Sequence, residues 1–122
     1  MIQDNFEIEF FEKDDHSCPV QEFLDALDDK MAAKVYGMMD VLAQAGNFLR
    51  KPYSSKLDEH IFELRVKQGS NITRVLYFFF VGRRIVMTNG FVKKQQKTPT
   101  RQIEIANKYR KIYLQRKGVD EA

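Results

Sequence analysis

The chain has 122 residues, of which 43% are hydrophobic and 30% charged, with six glycines and three prolines. This length suits one domain of about 100–150 residues, and the composition excludes disordered and collagen-like chains. The longest apolar run, residues 75–81, has seven residues, whereas a membrane helix needs about 20. Because the N-terminus lacks the pattern of a secretory signal and Cys18 has no second cysteine to pair with, we expect a cytoplasmic protein.

The charge is divided unevenly along the chain. Residues 1–46 carry three Lys/Arg and eleven Asp/Glu, for a net charge of −8, and residues 47–122 carry seventeen and six, for a net charge of +11. A strongly positive region attracts polyanions through long-range electrostatics and counterion release. RNA, DNA or an acidic protein is therefore the expected partner, although a merely solvated basic face would show the same composition.

The first half of the chain predicts one strand and two helices. Residues 6–10 alternate apolar and acidic side chains, as in a strand with one buried face. Pro19 suits the first position of a helix, whose apolar residues at Val20, Phe23, Leu24 and Leu27 recur at helical spacing. A second stripe runs from Met31 to Leu42, and Gly46 is placed to end that helix.

The second half predicts three strands and a helix. After a polar connection at residues 47–60, apolar residues alternate along 62–67, a long apolar strand spans 72–81, and a fourth strand begins at Ile85. Thr98 and Pro99 resemble a helix cap and first helical position. The predicted class is α+β, in the order β-α-α-β-β-β-α, with the helices on one face of a mostly antiparallel four-stranded sheet. We expect a single domain over residues 1–117 and a frayed tail at 118–122.

The candidate chemistry is cationic. His16 and Cys18 form a lone pair far from His60, so no metal site is predicted, and the chain has no phosphate-binding glycine loop or nucleophile elbow. Basic side chains should gather around the exposed part of the sheet, where guanidinium and ammonium groups suit phosphates. The residues in this group are Lys56, Arg65, Lys67, Arg74, Lys93, Lys94, Lys97 and Arg101.

An ordered set of motifs resembles the RelE/ParE toxin superfamily, specifically its phage-derived HigB-like branch. The motifs are Lys56-Leu57, Phe62-Glu63-Leu64-Arg65, Arg74-Val75-Leu76-Tyr77 and the segment from Gly90-Phe91 through Lys93-Lys94 and Lys97 to Pro99. The resemblance implies a RelE-like fold and the toxin of a type II toxin–antitoxin pair. Such a toxin would cut mRNA on the ribosome without a cofactor and would be held inactive by a helix-turn-helix antitoxin.

The resemblance also implies roles for particular residues. Arg65 and Arg74 would bind the scissile phosphate, with Lys94 and His60 completing the catalytic set. Lys56, Lys67, Lys93, Lys97 and Arg101 would hold neighbouring RNA phosphates. The ribose 2′-hydroxyl would attack the adjacent phosphorus.

The identity of the proton acceptor stays open among His60, Glu63, Tyr77 and a lysine. Asn89 and Phe91 stand where related toxins often carry His or Tyr, and neither can accept a proton. Two alternatives therefore remain: a non-catalytic ParE-like inhibitor of a target such as DNA gyrase, and an RNA- or protein-binding adaptor.

Overall fold

The computed structural model describes residues 5–93 and 97–119. Over these residues the chain folds into an α+β domain with three α-helices and one five-stranded sheet. In chain order the elements are β1 (Glu7–Phe10), α1 (Pro19–Ala26), α2 (Asp29–Ala45), a 3₁₀ turn (Gly46–Phe48), β2 (Ser54–Lys56), β3 (Phe62–Gln68), β4 (Asn71–Phe80), β5 (Arg84–Lys93) and α3 (Thr100–Arg116).

The sheet has the strand order β1-β5-β4-β3-β2, and every pairing is antiparallel except that between β1 and β5. The predicted α+β class and mostly antiparallel sheet are confirmed, but the sheet has five strands instead of four. The additional strand is β2, within the segment predicted as a connection. Its sequence, Ser-Ser-Lys, has no apolar alternation, and it becomes a strand by pairing with Phe62, Glu63 and Leu64 of β3.

Helices α1 and α2 pack on one face of the sheet. The predicted apolar stripes supply the buried side chains, among them Val20 and Leu24 of α1 and Val35 and Leu42 of α2. The Asp28 carboxylate accepts a hydrogen bond from the Met31 amide at 2.7 Å and caps α2. The regular spacing of these apolar residues explains why both helices were predictable from sequence.

Helix α3 packs on the opposite face of the sheet, which corrects the prediction that all helices share one face. It covers a second core that includes Leu76, Phe78, Val86, Ala106 and Tyr113. Strand β4 is the reason, because its side chains are apolar on both faces and each face has to be covered. The amide of Val119 donates to the Leu114 carbonyl at 3.0 Å, so the first part of the predicted tail lies against the end of α3.

The helices of the described part of the chain are all too short or too polar to cross a bilayer.

Candidate functional site

The site is built on the face of the sheet that α3 partly covers. Residues directly opposite one another on paired strands project from the same face. The register therefore places three rows of side chains across β3, β4 and β5. The rows are Lys67, Ile72 and Lys93 at the end of the sheet, then Arg65, Arg74 and Phe91, then Glu63, Leu76 and Asn89.

Glu63 is the acidic centre of these rows. Its carboxylate lies 3.9 Å from Nε of Arg65 through Oε2 and 3.9 Å from Nε of Arg74 through Oε1. Ser55 Oγ donates to Oε2 at 3.0 Å, and Thr98 Oγ1 donates to Oε1. With 4% of its side chain exposed, the carboxylate is a buried counter-charge shared by two guanidinium groups.

Arg74 is completely buried, at 0% exposure. Its Nη1 donates to Thr98 Oγ1 at 2.9 Å, and its guanidinium carbon lies 6.0 Å from the centre of the Phe91 ring. Burial lowers the pKa of Arg74, and the Glu63 charge opposes this shift. The expectation that Arg74 contacts a phosphate directly does not match this position, because β4 is the central strand and the Arg74 side chain has no solvent-exposed surface. Arg74 instead holds Thr98 and Glu63 in place.

Of the two arginines beside Glu63, Arg65 is the one that is exposed to solvent. Its side chain is 19% exposed, and it lies on β3, one strand nearer the sheet edge than Arg74. The surrounding lysines and Arg101 are exposed: Lys67 and Lys93 end the first row, while Lys97 and Arg101 flank the start of α3. We call Arg65, Lys67, Lys93, Lys97 and Arg101 the cationic sheet end. Lys94 lies outside the described residues.

Two predicted site residues lie elsewhere. His60 precedes β3, with its backbone amide donating to Asp58, whose carboxylate also binds Asn107 of α3. The start of α3 at Thr100 lies next to Thr98, which is bonded to Arg74 in the row of Arg65. Asn107 is roughly 10 Å further along the helix axis than Thr100. His60, which lies near Asn107, therefore stands away from the row of Arg65. Lys56 is opposite Phe62, with Nζ 6.0 Å from that ring, on the face that α1 and α2 cover. The structure therefore separates His60 and Lys56 from the cationic sheet end.

One comparison with known proteins identifies the family. The family model described as Phage derived protein Gp49-like (DUF891) matches residues 22–111, about three quarters of the chain. The chain belongs to the Gp49-like family. This family is related to the toxins of toxin–antitoxin systems. A comparison with curated proteins found no match. The Gp49-like match includes the three strands that form the rows and most of α3.

The Gp49-like site also uses residues that sequence reasoning missed or assigned differently. Thr98 was predicted to cap α3, but α3 begins at Thr100 without a side-chain cap, and the Thr98 hydroxyl joins Arg74 to Glu63 instead. Asn89 anchors the start of α3 by donating to Gln102 Oε1 at 3.0 Å. Ser55 was part of the predicted connection. Of these contacts, the sequence gave a signal only for that of Asn89, which lies near the end of the predicted fourth strand.

Among the described residues of this Gp49-like chain, no three His, Cys, Asp or Glu side chains lie close enough together to hold a metal ion. The described side chains of the site supply cations, hydroxyls and one carboxylate.

Proposed function

We propose that this protein is the toxin of a type II toxin–antitoxin pair, of the HigB-like branch, and that it cleaves mRNA on the ribosome. The observation that carries the proposal is the cationic sheet end, where Arg65 and Lys67 of β3 and Lys93 of β5 project from one face of the sheet. The family relation to toxins supports the same conclusion.

The charge balance around these strands favours a phosphate ligand. Residues 61–103 include nine Lys/Arg and one carboxylate, Glu63. That carboxylate is buried between Arg65 and Arg74, so it does not neutralise the exposed lysines. Lys67 and Lys93 are separated by two strand spacings, which is about 10 Å between backbones. Such a spread of exposed cations suits a polyanion better than a single small anion.

The proposed reaction is an intramolecular phosphoryl transfer. The ribose 2′-oxygen forms a bond to the adjacent phosphorus as the bond from phosphorus to the 5′-oxygen breaks. The 2′-hydroxyl loses a proton and the departing 5′-oxygen gains one, leaving a 2′,3′-cyclic phosphate and a 5′-hydroxyl. Arg65 neutralises the charge that develops on the phosphate, and the exposed lysines hold the flanking phosphates.

Arg74 has a positioning role in this proposal. The Glu63 carboxylate lies at 3.9 Å from both guanidinium groups, and Arg74 fixes the same carboxylate from the buried side. Arg65 is therefore held toward the open face, where it is available to a phosphate before RNA binds. Preorganised donors of this kind contribute more than mobile ones, because they need not reorganise during the reaction.

The test is cleavage of mRNA on translating ribosomes, read by primer extension and by detection of 2′,3′-cyclic phosphate ends. We expect Arg65→Ala to slow cleavage by about 10²–10³-fold, the usual effect of removing one transition-state donor. Lys111→Ala is the matched control, because Lys111 is exposed on α3 away from the cationic sheet end. If the parent protein leaves A-site mRNA intact while a related active toxin cuts it, the endonuclease proposal is wrong.

A second candidate is a ParE-like inhibitor of DNA gyrase that binds without cleaving. The position of His60 favours it, because the histidine lies away from the row, and the Glu63 carboxylate beside Arg65 already accepts hydrogen bonds from Ser55 and Thr98. A DNA-supercoiling assay separates the candidates. Inhibition of gyrase together with intact mRNA selects this second function, whereas mRNA cleavage without gyrase inhibition selects the first.

The proposal includes partners. A toxin of this kind would bind the ribosome and mRNA and would be neutralised by a helix-turn-helix antitoxin. A basic face of this size attracts an acidic or amphipathic partner segment. Co-expression with the product of an adjacent helix-turn-helix gene should restore growth and yield a complex on size-exclusion chromatography. A co-expressed pair that neither restores growth nor copurifies would contradict the antitoxin assignment.

A further inference from the structure

An apolar groove lies between α2, the segment before β2 and the edge of β3. Its volume is about 670 Å³, which is within the range of sites that bind a ligand several side chains in size. Met38 and Val41 of α2 form one wall, and Pro52, Tyr53 and Val66 form the other. Val41 is 42% exposed and Tyr53 is 51% exposed. Apolar side chains that remain this open on a groove mark a binding surface.

The charged side chains at this groove are all positive. They are Lys34 from α2 and Arg65 and Lys67 from β3, and none of the described residues lining the groove is Asp or Glu. Lys34 Nζ donates to the Lys67 carbonyl at 3.4 Å, which ties the helix to the sheet edge. An occupant that complements this surface has an apolar centre and acidic flanks.

Gly37 provides an independent observation. It lies inside α2, a helix of 17 residues, and it lines the groove between Lys34 and Val41. A Cβ added at this position would meet no atom within 4 Å. Glycine destabilises a helix interior relative to alanine, and none of the residues that the structure describes requires its small size. An empty position on the floor of a groove allows a partner to approach the helix closely.

We propose that this groove binds an amphipathic helix of a partner protein, with apolar residues facing Met38 and Val41 and carboxylates facing Lys34 and Lys67. The α2 residues Lys34, Met38 and Val41 follow one another at i, i+4 and i+7, so they form one stripe. A second helix lying along that stripe places its own apolar stripe in the groove. Gly37 is then the point of closest approach between the two helices. The proposal does not depend on RNA cleavage.

The experiment is selection from a displayed random library of peptides about 16 residues long, which is sufficient for a stable helix. The full-length protein is the bait. We expect enrichment of peptides with apolar residues at helical spacing and an excess of Asp and Glu. Binding of an enriched synthetic peptide should weaken about tenfold or more with Val41→Glu. Ala33→Glu is the matched control, because it adds the same charge to α2 outside the groove and should leave binding unchanged.

Three outcomes would overturn the proposal. The first is enrichment of no peptide, or of basic peptides. The second is self-association of the parent protein that Val41→Glu abolishes, which would assign the groove to a second copy of the chain. The third is loss of RNA binding in Val41→Glu but not in Ala33→Glu, which would assign the groove to nucleic acid.

Gly37→Leu keeps the test informative if Val41→Glu does not fold. Leucine favours a helix interior more than glycine does, so Tm should not fall. Its side chain would project into the groove, so peptide binding should weaken about tenfold or more. Unchanged peptide binding by a folded Gly37→Leu protein would contradict the proposed close approach.

Discussion

Substitution of Glu63 by glutamine tests how the two arginines are held. Glu63→Gln preserves the size of the side chain but removes the negative charge that lies 3.9 Å from Nε of both Arg65 and Arg74. Arg74, at 0% exposure, is then a buried cation beside a neutral amide. The substitution destabilises the charge of Arg65 less, because 19% of the Arg65 side chain is exposed to solvent.

The expected loss is large. Removing one partner from a buried ion pair costs about 3–5 kcal/mol, because the remaining charge is left desolvated. Unfolding entropies of about 2.1 cal/mol/K per residue, applied to 122 residues, convert this loss to a fall in Tm of about 12–20 °C. Ser55→Ala is a milder comparison, because it removes one hydrogen bond to the same carboxylate and should cost about 1 kcal/mol.

The assay is thermal and urea unfolding of the parent, Glu63→Gln, Arg74→Met and the double variant. Methionine fills the space of the arginine stem without a charge. The double variant should therefore regain about 2 kcal/mol or more of the loss caused by Glu63→Gln, since no buried charge is left unpaired at position 74. The reasoning is refuted if Glu63→Gln unfolds within about 1 kcal/mol of the parent, or if Arg74→Met gives no rescue.

Three further results are expected. Burial raises the pKa of Tyr77 to about 12; because this value exceeds the ordinary value near 10, stability should fall by about 2–3 kcal/mol between pH 10 and pH 12. Tyr77→Phe should lessen that fall in pH-dependent urea unfolding, and an identical pH profile would argue against it. Gly90→Ala should cost about 1–3 kcal/mol, because its Cβ would lie 2.5 Å from the Phe23 ring; an unchanged Tm would contradict this close packing. Lys67→Ala and Lys93→Ala should each reduce the slope of log Kobs against log salt for single-stranded RNA by about 0.7, and equal slopes for parent and variants would exclude phosphate contacts at these lysines.

The sequence by itself determined the elements whose side chains repeat regularly. The spacing of Val20 and Leu24 and of Val35 and Leu42 specified α1 and α2, because a helix with one buried face requires that period. Alternation along residues 62–67 specified β3, and the apolar run from Ile72 specified β4. The charge division and the ordered motifs also identify Arg65 and its basic neighbours as candidate site residues.

Only the tertiary structure decided which of the two arginines is accessible. Arg65 and Arg74 are direct partners across β3 and β4, but only Arg74 is fully buried, and it donates to Thr98, which is 24 residues further along the chain. The same dependence on distant pairing produced β2 and placed α3 on the opposite face of the sheet. Local sequence patterns reflect how each segment buries its own apolar face. The burial of a charged side chain is instead determined by segments distant in sequence that pack over it.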